Sequence, residues 1–99
     1  MRIVVTSPDG VGEWKRADVV FDPEEGRGEM PPEVLVDELQ GALRHWAEVS
    51  FKVEHQMILI RSNEKISKLE PHGQQFMERL VRCMLDLGYD LAPDEPVNY

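Results

Sequence analysis

Residues 51–61 read Phe51-Lys52-Val53-Glu54-His55-Gln56-Met57-Ile58-Leu59-Ile60-Arg61, and the faces of any sheet in this chain depend on how that run is parsed. Its first half alternates apolar with polar residues, while its second half is continuously apolar. This suits a strand passing from a half-exposed edge into a more buried centre. Taken as one strand, the run puts Phe51, Val53, Met57 and Leu59 on one side and Ile58 and Ile60 on the other. A hairpin bent near His55-Gln56 is the competing reading.

Toward the N-terminus, Arg2 to Thr6 is rich in β-branched residues and runs into Ser7-Pro8-Asp9-Gly10, a turn with proline and glycine at suitable positions. Trp14 to Phe21 resumes the period of two, so the pair predicts an antiparallel hairpin with a loop around Val11 to Glu13. Val4 and Val20 then share a face. Asp22 to Pro32 contains two glycines, three prolines and four acids against Arg27, and reads as a flexible acidic connection. Pro31-Pro32 can open a helix, with Glu33, Asp37 and Glu38 near its positive dipole end. Leu35, Leu39, Ala42, Leu43 and Trp46 form its stripe to an end near Glu48, and Gly41 would let the sheet approach closely.

Beyond residue 61, Ser62 to Leu69 is polar, with a short helical turn possible around Ile66 to Leu69. Pro71 opens a second helix whose stripe is Phe76, Leu80, Cys83, Met84 and Leu87, and Gly88 ends it. Tyr89-Asp90-Leu91 can add a short last strand. The order is ββαβα with an optional final β, an α+β two-layer sandwich of mainly antiparallel sheet with two helices on one face. Residues 1–91 make the single domain, and 92–99 a Pro-rich acidic tail.

On the one-strand parsing, Ile3, Val5, Ala17, Val19, Phe21, Phe51, Val53, Met57 and Leu59 face the helices, while Val4, Val20, Ile58 and Ile60 face outward. An outer apolar patch calls for a partner. Full burial of four such side chains contributes on the order of 5–10 kcal/mol. Association costs about 4–15 kcal/mol, so a tight interface would need a further anchor such as Trp14 or Tyr99.

Ninety-nine residues are enough for one core without metals or disulfides, and a composition of 41% hydrophobic and 30% charged residues is globular rather than disordered. No apolar run is long enough to cross a bilayer, and no secretory leader is apparent, so a cytoplasmic protein is expected. A single cysteine excludes an intramolecular disulfide or a thiolate zinc cluster. The net charge of −8 disfavours direct binding to nucleic acid or an anionic membrane. Residues 1–50 hold eleven acids and five bases, a net of −6, whereas 51–99 hold eight and six, a net of −2. A basic partner would meet the N-terminal half, steered by Asp22, Glu24, Glu25 and Glu29.

No catalytic signature emerges. His45 and Glu48 sit three apart and His55 follows on the next strand, but the spacing matches no metal signature, and His55 is expected on the inward face with a satisfied hydrogen bond. Cys83 lies between Leu80 and Leu87 in a helix stripe, where burial suppresses nucleophilicity. The acidic stretch Asp22 to Glu33 fails as a calcium loop because Arg27 stands where the turn needs glycine, and Gly10 and Gly12 lack the rest of a phosphate-binding pattern. No cofactor and no metal are implied. Trp46 continues a core stripe, while Trp14 suits an interface anchor.

The residues therefore point to a non-enzymatic, acidic protein-interaction module that self-associates or binds a partner through Val4, Trp14, Val20, Ile58 and Ile60. One alternative is a nucleic-acid mimic that inhibits a basic enzyme, of the kind phage and mobile elements encode. The other is a ligand- or metal-binding subunit with a site between chains near His45, Glu48 and His55.

Overall fold

The computed structural model describes residues 1–8, 13–46, 49–63 and 71–92. They form an α+β fold with five strands and two helices: β1 (Arg2–Pro8), β2 (Trp14–Pro23), α1 (Pro32–Ala42), β3 (Val49–Glu54), β4 (Met57–Ser62), α2 (Pro71–Asp86) and β5 (Tyr89–Leu91). The sheet order is β3-β4-β1-β2-β5. Every neighbouring pair is antiparallel except one: β1 runs parallel to β4, with Ile3 beside Ile58 and Val5 beside Ile60.

The stretch that decides the faces is a hairpin. His55 and Gln56 both take positive φ, 50° and 62°, the backbone that a two-residue connection needs to follow the twist of its strands. Glu54 then pairs with Met57, Val53 with Ile58 and Phe51 with Ile60. A two-residue turn reverses parity, so paired residues share a face. This corrects the one-strand parsing: Ile58 and Ile60 are 0% and 1% exposed in the core, whereas Met57 and Leu59 lie on the opposite face. His55 is likewise not an inward core residue; it occupies the exposed turn, 3.6 Å from the Glu54 carboxylate.

The inner face follows from the register in two rows, Val19-Ile3-Ile58-Val53 and Ala17-Val5-Ile60-Phe51. Most of these residues join Leu35, Leu39, Leu43, Trp46, Phe76, Leu80 and Met84 in one core cluster, with Tyr89 and Phe21 at its β5 end. Burying each large aliphatic side chain contributes about 1.5–3 kcal/mol. Trp46 meets Phe76 edge to face with centroids 5.3 Å apart.

Helix α1 starts as the prolines predict, with extended backbone at Pro31 and Glu33 in the first turn, but it stops at Ala42. The Leu43 amide still reaches the Leu39 carbonyl, and the Trp46 amide bonds the Leu43 carbonyl, so a turn delivers Trp46 to the core. Gly41 has nothing within 4 Å of where a Cβ would stand, so it faces open space and does not admit the sheet. Helix α2 runs to Asp86 and ends at Gly88, whose φ of 94° favours glycine. The turn expected at Ile66 to Leu69 and the tail from residue 93 lie outside the described residues.

The connection over residues 24–31 is not a loose one. The Glu24 amide donates to the Gly88 carbonyl at 2.8 Å, and the Met30 amide donates to the Tyr89 hydroxyl at 2.9 Å. The Met1 ammonium donates to Glu29 at 3.0 Å and to the Phe21 carbonyl at 2.6 Å. These bonds tie the acidic loop to the β5 end of the sheet.

Candidate functional site

The register also fixes the outer face, in rows Val20-Arg2-Met57-Glu54, Asp18-Val4-Leu59-Lys52 and Arg16-Thr6-Arg61-Ser50. Each apolar residue in these rows has a charged neighbour across the strand. Val4 is only 4% exposed between Asp18 and Leu59, and Asp18 holds Arg2 at 3.2 Å and Arg16 at 3.4 Å. Lys52 pairs with Glu54 at 3.4 Å. Long charged side chains that lay their stems over aliphatic neighbours give an antiparallel sheet an ordinary solvated face. Of the residues expected in an outer patch, Val4 and Val20 are there but interrupted by charge, and Ile58 and Ile60 are not there at all.

Trp14 stands at the start of β2, 46% exposed, with the Arg61 guanidinium 4.3 Å from its ring centroid. A cation stacked on an exposed indole contributes about 0.5–1 kcal/mol, and with Thr6 the pair lines a shallow hollow. The steering acids are partly committed: Glu29 holds the Met1 ammonium, and Glu24 lies 3.9 Å from Arg27. Asp22 faces Asp90 directly across β2 and β5, so that corner keeps an acidic character. Glu25 is exposed in the turn.

An apolar open surface lies elsewhere, between α2 and the β5 end of the sheet. Val19, Met77, Val81, Leu85 and Leu91 line a groove of about 420 Å³ with Glu78 and Arg82 at its rim. Leu85 and Leu91 are 42% and 46% exposed. The cause is the brevity of β5. It pairs only with Phe21, Asp22 and Pro23, and the Ala92 amide adds one more bond to the Val20 carbonyl. Among the described residues no strand pairs with residues 14–19 on the side away from β1. Sequence reasoning missed this groove because Met77 and Val81 read as flanks of a buried stripe and Val19 as plain core. The length of β5 relative to β2 was the available signal.

Backbone parity shows which groups that edge presents. Met1 and Phe21 exchange both hydrogen bonds, so odd residues of β2 bond toward β1. The amide and carbonyl groups of Arg16 and Asp18 therefore point outward, toward the open edge.

His45 stacks edge-on to Trp46 at 6.4 Å between centroids, His55 lies in the β3–β4 turn, and Glu48 is outside the described residues. Among the described residues no group of three His, Cys, Asp or Glu side chains could hold a metal ion. Cys83 is half-buried rather than fully buried; burial pushes its thiol pKa up, and Glu38 and Asp86 push it in the same direction. It is a poor nucleophile at neutral pH. Among the described residues no helix is long and apolar enough to cross a membrane. No known protein family matches the chain, and no characterised protein or solved structure is significantly similar to it.

Proposed function

We propose that this chain is a small protein-interaction module whose contact surface is the open edge of β2 together with the apolar groove beside it. The observation that carries this reading is the coincidence of two unmet needs in one place: outward backbone groups on Arg16 and Asp18, and exposed leucines at 85 and 91. An extended polypeptide satisfies both, since its main chain pairs with an edge strand while alternate side chains enter the groove. The outer sheet face offers no comparable pairing.

The architecture behind that surface reads as a two-layer sandwich. The β2-α1-β3 connection crosses β1 and β4 in one direction, and β4-α2-β5 crosses β1 and β2 in the other. The strands that start the two crossings are antiparallel, so a common right-handed sense puts both helices on the same face. The other face is left to water.

A displayed peptide library selected on the immobilised chain tests the reading. The expected result is enrichment of extended sequences with apolar residues at alternate positions, lost with Leu85→Glu and kept with Leu59→Glu on the outer face. Selection yielding no sequence whose binding depends on Leu85 would sink it.

A further inference from the structure

We infer that the strand completing this edge is β2 of a second copy of the chain, which would make the protein a homodimer with a continuous sheet. The inference rests on the interaction reading above and names its partner. Around Ala17 the edge is self-complementary. An antiparallel two-fold centred there places Arg16 opposite Asp18 of the second copy, and Asp18 opposite its Arg16. Those are the residues whose amides and carbonyls point outward, so each such pair exchanges two backbone hydrogen bonds beneath a matched pair of charges.

Ala17 meets its own copy as a close, non-hydrogen-bonded pair, where Cα atoms stand about 4.5 Å apart and a small side chain is needed. Shifting the two-fold by one residue would set Arg16 against Arg16 or Asp18 against Asp18. Like charges directly opposite disfavour both, so the sequence selects one register.

The chain's own continuation suits the edge poorly. Extending the β2–β5 register would set Asp94 opposite Asp18 and Pro96, which has no amide hydrogen, opposite the outward carbonyl of Arg16. With the axis normal to the sheet, the two copies of α2 come to the same side of the joined edge. Val81 and Leu85 then approach their counterparts, and the groove closes with the edge. The net charge of −8 on each copy opposes association, so local complementarity at residues 16 and 18 has to provide specificity.

Mass in solution, followed across a wide concentration range, tests the proposal on the full chain. The wild type should be a dimer, and Arg16→Pro should be a monomer with an unchanged circular dichroism spectrum, because the one backbone donor that proline removes points outward and the guanidinium lost with it makes only a surface pair with Asp18. Arg16→Asp should also be monomeric. In a Cys83→Ser background, Ala17→Cys should oxidise to a covalent dimer while Ser50→Cys on the opposite edge should not. If Arg16→Pro fails to fold, the cysteine pair decides. A wild-type monomer at every concentration, a dimer that persists in Arg16→Asp, or no covalent dimer from Ala17→Cys would overturn self-pairing. A monomer that still selects Leu85-dependent peptides would leave the interaction reading standing with a different partner.

Discussion

At one edge of the sheet, β3 pairs with β4 along all six of its residues, and its inner side chains Val49 and Phe51 pack against the core. At the other, β5 covers three residues of a ten-residue strand, and the helix above leaves a groove lined by Leu85 and Leu91. Both edges carry charge, as edge strands commonly do to resist unplanned pairing. On β3, Lys52 and Glu54 satisfy each other within the strand. On β2, Arg16 and Asp18 do the same at 3.4 Å, and they flank a small residue in an order that also fits a copy of itself. What distinguishes the two edges is thus not the charge, which follows the same basic-to-acidic order on both, but the apolar groove that lies exposed beside β2.

Substitutions can break this comparison at several strengths. Ile58→Lys tests the hairpin that closes the first edge, and it should have the largest effect. A lysine at a position 0% exposed places an unpaired charge in the core, costing more than about 4 kcal/mol and abolishing a cooperative thermal transition. Leu59→Lys, one residue away on the outer face, should cost less than about 1 kcal/mol and melt cooperatively. If the two variants behave alike, the parity assigned to β4 is wrong.

Next in size is a contrast along α2. Leu80→Ala removes a fully buried side chain and should cost about 2–5 kcal/mol in denaturant titration. Leu85→Ala, on the groove side, should change stability by only about 0.5 kcal/mol while weakening binding. Equal losses would mean that the groove is part of the core.

The two turns that set the edges give smaller effects of opposite sign. Gly88→Ala puts a Cβ on a residue held in the left-handed region, with the flexible Arg27 side chain moving aside, and should destabilise by about 1–2 kcal/mol. Replacing His55-Gln56 with Asn-Gly puts residues tolerant of positive φ into the β3–β4 turn and should stabilise by about 1 kcal/mol, raising the melting temperature by about 4–8 °C.

The smallest effect concerns the thiol between the helices. The folded pKa of Cys83 is raised, so its contribution to stability is complete below the ordinary thiol pKa and declines as pH rises through the raised one. Alkylation in mildly alkaline buffer should be slower than for an unfolded control, and Glu38→Gln should speed it. A rate unchanged by that substitution would remove the coulombic contribution.

Local pattern made much of this molecule legible: the β1–β2 hairpin with Val4 and Val20 on one face, the proline start of each helix, the Phe76-Leu80-Met84 stripe, the glycine at position 88 and the short last strand. These depend on neighbours within a few residues, where side-chain period and backbone preference act directly. The placement of Ile58 and Ile60 was not legible in the same way. His55 and Gln56 are not the usual residues of a tight turn, and their left-handed backbone is held by the six-residue pairing on either side rather than by their own preference.

By itself, then, the sequence determined which segments are strands and helices and which residues are apolar enough to be buried. Tertiary structure alone decided which face β4 turns inward, because one reversal of parity at a two-residue turn exchanges every side chain beyond it. It also decided where apolar surface remains uncovered. That follows from how far β5 reaches along β2, a matter of sheet order between segments distant in the chain.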